Sequence, residues 1–244
     1  MKVIKLAAFI CLSFSITAFA QTPKAIEADL LRLLKKIDSN SPEIDKANDD
    51  FAKKLKYYTE KYPATLDQSF ESLKKAHLDI STSTDGLFRI YSWDTWTGGT
   101  MHYFESLFQY KSGNGTISTI DMPKTEGDSR PNYYKMYTFT ANTQKYYLAI
   151  WLNIGSTKLG MNGVKVFSII NGKLRDDIKL IKTVTGMHNQ LYYEYDNGWY
   201  EKFDINFDAA TKTIQLPLIT GDSKPTSKFI TYKFTGKYFE KVKN

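Results

Sequence analysis

The spacing of apolar residues changes at about Asp79, and this change constrains the fold more than any other feature. Before it, apolar residues recur every three or four positions, the period of an amphipathic helix. The first such run is Ile26, Leu30, Leu33, Leu34 and Ile37. After it, aromatic and β-branched residues dominate, and turn signals arrive about every ten residues. The sequence therefore predicts a helical segment, residues 21–78, followed by an antiparallel β domain, residues 79–244.

Two further helices are predicted in the first segment. Ser41 is a candidate N-cap, with Pro42 at the first helical position, and an apolar stripe then continues to Tyr62 before Pro63 ends it. A shorter stripe runs through Leu66, Phe70, Leu73 and His77. Because each helix is apolar on one face, we expect the helices to pack on each other or on the β domain.

Residues 79–244 are predicted to form about eleven or twelve strands without helices between them. Asp85-Gly86 predicts a hairpin, and similar turns follow at 113–115, 171–173 and 197–198. Residues 146–152 are apolar on both faces, which indicates a central, covered strand. The predicted fold is mainly β with an N-terminal helical segment (α+β), the strands forming a meander, sandwich, barrel or propeller-like stack. A related motif at 137–147 and 232–239 fits either a repeated hairpin, as in successive propeller blades, or common β-hairpin composition.

The first twenty residues predict export. Lys2 and Lys5 precede an apolar run, residues 6–16, and Ala18-Phe19-Ala20 has the small-x-small pattern of a signal-peptidase site. A run of this length is shorter than the roughly 20 apolar residues of a membrane span. We therefore expect a signal peptide, residues 1–20, a periplasmic or extracellular protein, and no stable membrane span after cleavage.

Cleavage would remove the single cysteine, Cys11, which excludes disulfides, thiolate metal sites and cysteine nucleophiles from the mature chain. The net charge would fall from +7 to +5, because Lys2 and Lys5 leave with the signal. The other lysines are spread along the chain, so no nucleic-acid partner is expected. No cofactor or metal is expected either, since His77, His102 and His188 are isolated and the 121–132 loop lacks calcium-loop spacing.

The segment FRIYSWDTWTGGTMHYF, residues 88–104, is the most concentrated group of unusual residues. It predicts two strands, the second starting at Met101, joined by a tight connection that contains Gly98 and Gly99. Aromatic rings with polar edges suit wet recognition surfaces. The candidate binding residues are Trp93, Asp94, Trp96, Gly98, Gly99, Thr100 and His102. Trp151 and Trp199 are further candidates, although tryptophans within strands also suit a core.

Catalysis would require two facing carboxylates with different pKa values. Asp94 and Glu194 are the candidate pair, since both lie among aromatic residues. The alternative is that Asp94 caps the following turn and Glu194 faces solvent. No nucleophile motif is present in the sequence.

The run Ile90-Tyr-Ser-Trp-Asp94 with Thr97-Gly-Gly-Thr-Met101 resembles a set of uncharacterised exported bacterial proteins, as does the ending at 232–239. The resemblance covers roughly residues 80–244 and implies an exported β-rich domain without a known activity. We expect a non-catalytic recognition module of the bacterial envelope that binds a glycan or a protein partner through aromatic loops. The alternatives are an envelope-polymer hydrolase and an inhibitor or scaffold that acts through its helices.

Overall fold

A computed structural model describes residues 22–121, 128–196, 198 and 204–242. The signal-peptide prediction, half of the 121–132 loop (residues 122–127), and Asn197 and Trp199 lie outside these residues. The helices are α1 (Pro23–Leu34), α2 (Ile44–Lys61) and α3 (Glu71–Lys75), with a 3₁₀ turn at Pro63–Leu66. None of the described helices combines the length and the apolar character that crossing a membrane requires.

The helical segment differs from its prediction at two points. α2 begins at Ile44 rather than Pro42, because Ser41 Oγ accepts the N–H of Glu43 (3.2 Å) and holds these residues in a turn. The third stripe is divided into the 3₁₀ turn and α3. Phe70, between them, has a left-handed backbone (φ 49°) that no helix can pass through.

The described strands form three sheets. The first has the order β1-β2-β3-β4 and is antiparallel throughout. Its strands are β1 (Asp79–Thr82), β2 (Phe88–Asp94), β3 (Phe104–Ser112) and β4 (Gly115–Ile120). The predicted Asp85-Gly86 hairpin joins β1 to β2, with Gly86 at φ 66°.

The second sheet has the order β11-β7-β6-β5, with β8 also paired to β7. Its strands are β5 (Asn132–Ala141), β6 (Gln144–Ile154), β7 (Leu159–Ile170), β8 (Lys173–Arg175) and β11 (Gln190–Asp196). The predicted central strand is β6, whose middle is buried on both faces.

The third sheet has the order β10-β9-β15-β14-β13-β12. Its strands are β9 (Ile181–Thr183), β10 (Gly186–His188), β12 (Asn206–Asp208), β13 (Thr213–Ile219), β14 (Pro225–Phe234) and β15 (Phe239–Lys241). All its pairings are antiparallel except that of β15 with β9.

Three apolar clusters stack these elements in four layers. Helices α1 and α2 pack on the first sheet, where Phe51 meets Trp93 edge to face at 5.1 Å. The other face of the first sheet meets the second, with Phe88 and Phe167 at 5.4 Å. The far face of the second sheet meets the third, through contacts such as Phe139 with Phe239 at 5.4 Å. The second sheet is therefore covered on both faces.

The prediction of a mainly β fold with N-terminal helices is confirmed: strands form 47% of the chain and helices 19%, and no sheet closes into a barrel. The structure contains fifteen described strands rather than eleven or twelve. Five of them have only three residues, too few to show an alternating pattern. The two copies of the related motif form the hairpins β5–β6 and β14–β15, which face each other across the second and third sheets.

Candidate functional site

The candidate segment is the connection between β2 and β3. The two strands pair from Phe88–Tyr110 to Asp94–Phe104, so β3 begins three residues later than predicted. Thr95 N–H then donates to Tyr103 C=O (2.8 Å) and closes the connection, residues 95–103, into a compact loop. We call residues 95–103 the Trp96 loop.

Asp94 fixes the backbone of Trp96. Its Oδ1 accepts the Trp96 N–H at 2.9 Å, the hydrogen bond of an Asx turn. Trp96 itself has φ 57°, a left-handed conformation that is unfavourable for a bulky residue. Its side chain is nevertheless 50% exposed, so burial of the indole does not compensate for this strain. The expectation that Asp94 caps the turn is confirmed.

The same carboxylate holds His102. Asp94 Oδ2 accepts a hydrogen bond from Nδ1 of His102, and the two side chains are 15% and 25% exposed. The imidazole meets the Trp96 ring edge to face at 5.7 Å and stacks on Phe104 at 6.1 Å. Nε2 makes no hydrogen bond to any described residue, so this atom is available to a ligand.

Backbone contacts seat the Trp96 loop on the second sheet. His102 N–H donates to the C=O of Ile154, at the end of β6, at 3.0 Å. Phe104 N–H donates to the C=O of Ser129 (3.0 Å), and Asn153 Nδ2 donates to the hydroxyl of Ser129 (2.6 Å). The loop is thus anchored to both the first and the second sheet.

The other candidate residues have different environments. Trp93 is 1% exposed in the helix–sheet core, and its Nε1 donates to Asn48 Oδ1 at 3.2 Å. Its ring is inaccessible, so the candidate surface no longer includes it. Gly98 is required for close packing, because a Cβ there would lie 1.9 Å from Met101 O. Gly99 (φ 64°) and Thr100 are exposed at the tip of the loop.

Asp94 and Glu194 lie in different sheets. Glu194 is exposed on β11, where it pairs with Met161, and neither Asp94 oxygen is hydrogen-bonded to it. Trp151 lies on β6 with 7% exposure.

The sequence did not single out Asn48, which bridges α2 and the Trp96 loop. Its Nδ2 donates to the C=O of Thr95 (2.9 Å), while its Oδ1 accepts from Trp93. It was detectable as a polar residue beside Ala47 and Phe51 on the apolar face of α2. Phe104 and Asn153 were also missed, because their roles depend on contacts between distant segments.

The described residues contain no group of three His, Cys, Asp or Glu side chains placed to hold a metal ion. His188 lies in the third sheet, where its Nε2 bonds to Thr185 Oγ1 at 2.9 Å, far in sequence from His102. The site chemistry is therefore that of an exposed indole, an oriented imidazole and a carboxylate.

Comparison with known proteins gives no relative: no protein-family model, curated protein or solved structure matches the chain.

Proposed function

We propose that this protein is an exported, non-catalytic recognition module that binds a glycan, with Trp96 as the stacking surface. The observation that supports this function most strongly is a half-exposed tryptophan held in a strained backbone conformation by Asp94. Strain of this kind persists only where the surrounding structure enforces it, and it concentrates at functional sites. Exposure of the indole would then be the purpose of the turn.

The neighbouring groups suit a sugar ring. The apolar C–H face of a pyranose can lie on an indole, which offers a large rigid surface. Nδ1 of His102 donates to a carboxylate, which leaves Nε2 to hydrogen-bond a hydroxyl group, as an acceptor in the neutral ring or as a donor in the protonated ring. The site thus combines one stacking surface with one oriented polar atom, the usual composition of a small-ligand site.

The hydrolase alternative has less support. Both Asp94 oxygens are engaged within the site, one by Trp96 and the other by His102, and Glu194 lies on another sheet. The structure offers no facing pair of carboxylates here for the acid–base mechanism.

The inhibitor or scaffold alternative requires an available helical surface. The apolar face of α2 is already used, since Phe51, Leu55 and Tyr58 are buried in the cluster shared with the first sheet. The remaining face is rich in charged residues and in exposed ion pairs such as Lys53–Asp49 (3.0 Å).

A pull-down with insoluble polymers tests the proposal. The purified protein is mixed with peptidoglycan, chitin and cellulose, and the bound fraction is measured against protein concentration. Trp96→Ala should weaken retention on the recognised polymer about tenfold or more, equivalent to about 1.4 kcal/mol or more.

The matched control is Tyr57→Ala, which removes another exposed aromatic ring (44%) on α2 and should leave retention unchanged. Absence of binding to all three polymers, or equal retention of wild type and Trp96→Ala, would contradict the proposal.

A further inference from the structure

A second aromatic surface lies beside the Trp96 loop, on the face of the second sheet that is turned toward the first. We call it the Trp151 shelf. It consists of Trp151, Asn153, Met161, Gly163, Tyr192 and Glu194. These residues occupy two adjacent rows across β6, β7 and β11, one from Trp151 through Gly163 to Tyr192 and the other from Asn153 through Met161 to Glu194.

Gly163 allows the shelf to form. A Cβ at this position would lie 2.4 Å from the Trp151 ring, so only glycine lets the indole lie across β7. The indole thereby reaches Tyr192 on β11, with ring centroids 6.0 Å apart and planes tilted by 40°. Tyr192 is 54% exposed and Glu194 is also exposed, so the outer part of the shelf faces solvent.

Two polar atoms of the shelf have no partner. Trp151 Nε1, a donor, and Asn153 Oδ1, an acceptor, make no hydrogen bond to any residue that the structure describes, although their side chains belong to residues only 7% and 8% exposed. Buried polar groups normally have partners, because leaving one unpaired is unfavourable. The two residues are separated by two positions on β6, so they share a face with Cα atoms about 6.6 Å apart.

The shelf adjoins the proposed stacking surface. Ile154, the residue after Asn153, accepts the hydrogen bond of His102 N–H at 3.0 Å. Asn153 uses its Nδ2 for the Ser129 hydroxyl, which leaves only Oδ1 unpaired. The Trp96 loop therefore contacts the strand that carries Asn153 and Trp151.

We infer that the Trp151 shelf is a second sugar subsite that recognises the acetamido group of an N-acetylated amino sugar. An acetamido group carries one N–H donor and one C=O acceptor, which complement Asn153 Oδ1 and Trp151 Nε1. Its methyl group and the sugar ring would lie on the aromatic pair Trp151 and Tyr192. This inference rests on the proposed function and specifies its ligand as an oligosaccharide that contains 2-acetamido sugars.

Ligand entry requires side-chain movement. The two unpaired atoms are not accessible to solvent in the free protein, and the Tyr192 ring is in contact with the Trp151 indole. Tyr192 is 54% exposed, and exposed side chains change rotamer within nanoseconds, so we expect Tyr192 to move aside when a ligand binds.

The test uses two tetrasaccharides that differ only in the substituent at C2 of each sugar ring. Chitotetraose carries an acetamido group at each C2, where cellotetraose carries a hydroxyl group. Isothermal titration should show chitotetraose binding at least about tenfold more tightly to the wild-type protein. Trp151→Phe, which keeps an aromatic ring but removes the N–H, should reduce this preference to about threefold or less. Tyr192→Ala, at an exposed position where folding is not at risk, should weaken chitotetraose binding more than cellotetraose binding and so reduce the preference.

The outcomes separate this inference from the proposed function. Equal binding of both sugars, with loss of both in Trp96→Ala, would overturn the acetamido subsite while supporting the stacking surface. A preference for chitotetraose that survives in both Trp151→Phe and Tyr192→Ala would also overturn it. N-acetyl-tetraalanine is the third probe, since a peptide group offers the same donor and acceptor, and tighter binding of this peptide would overturn the assignment to a sugar. Failure of all three probes would overturn the inference, whereas the polymer pull-down tests the proposed function separately.

Discussion

Oδ1 of Asp94 accepts the backbone N–H of Trp96 at 2.9 Å, and this bond joins the last residue of β2 to the backbone of the residue that carries the exposed indole. The other carboxylate oxygen is bonded to His102, so one side chain holds both the Trp96 backbone and the His102 imidazole. The site is therefore a small hydrogen-bonded unit whose parts should be energetically coupled.

The left-handed backbone of Trp96 gives the first prediction. Trp96→Gly should be more stable than Trp96→Ala by about 0.5 to 1 kcal/mol, because glycine adopts φ 57° without the steric cost of a Cβ. Urea unfolding at neutral pH measures the difference. The control pair is Thr97→Gly and Thr97→Ala, at an exposed position without positive φ, where alanine should be the more stable residue. The same order at both positions would contradict the role of strain.

The bond between Asp94 and His102 gives the second prediction. A double-mutant cycle with Asp94→Ala and His102→Gln should show a coupling energy of about 1 to 2 kcal/mol in the free energy of unfolding, as expected for a partly buried charge-assisted pair. The coupling energy is measured by chemical denaturation of the wild type, the two single variants and the double variant. Additivity to within about 0.5 kcal/mol would show that the contact does not stabilise the loop.

The third prediction concerns Asn48. Asn48→Ala removes the partners of Trp93 Nε1 and of the Thr95 carbonyl, and both atoms are buried. We expect a loss of about 2 to 3 kcal/mol in unfolding free energy, since each unpaired buried group is costly. Asn40→Ala, which removes an exposed amide bonded to Asp38, is the control and should change stability by less than about 0.5 kcal/mol. Similar values for the two variants would be inconsistent with the bridging role.

The pH dependence of stability should involve Asp29. The hydroxyl of Tyr58 donates to its carboxylate at 2.7 Å, and this bond, followed by that from Arg32, lowers the Asp29 pKa. Because the folded pKa lies below the unfolded one, this stabilisation is present above the unfolded pKa of about 4 and is lost as pH falls through the folded value. Unfolding free energies from pH 2.5 to 7 should therefore fall less steeply in acid for Asp29→Asn than for wild type. Parallel pH profiles would refute the assignment.

Deletion of residues 22–78 should prevent folding of the remaining chain. The helices cover the side of the first sheet that carries Tyr91, Trp93 and Leu107, all 1% exposed or less. Their exposure would leave a large apolar patch, which favours aggregation. The expected readouts are loss of near-ultraviolet circular dichroism and dye binding typical of exposed apolar surface. A monomeric deletion variant with native-like spectra would instead favour the scaffold alternative.

The local features of this structure could be predicted from the sequence. The Asp85-Gly86 turn, the covered strand β6 and the buried face of α1 follow from turn chemistry and periodicity within a few residues. The start of α2 was misplaced because Ser41-Pro42 satisfies the local rule for a helix start, whereas Ser41 in fact bonds to Glu43 in a preceding turn.

The candidate site could be predicted only in part from the sequence. The sequence drew attention to Asp94, Trp96 and His102, and the polarity of Asp94 suggested a turn cap. It could not show that Trp93 faces the helices while Trp96 faces solvent, because one residue of register decides between the two faces. Nor could it place Asn153 beside the loop, since that contact joins segments about fifty residues apart through sheet stacking.

The position of β15 has a consequence for how the chain reaches its final structure. The third sheet consists of the pair β9 and β10 on one side and β12, β13 and β14 on the other, and among the described strands β15 alone joins the two groups. A chain synthesised only to residue 238 therefore holds two separate sheet fragments, and Phe239, fully buried between them, completes the layer. Until β15 pairs with both groups, we expect the third sheet to keep an open seam, so this strand should be among the last to complete the layer.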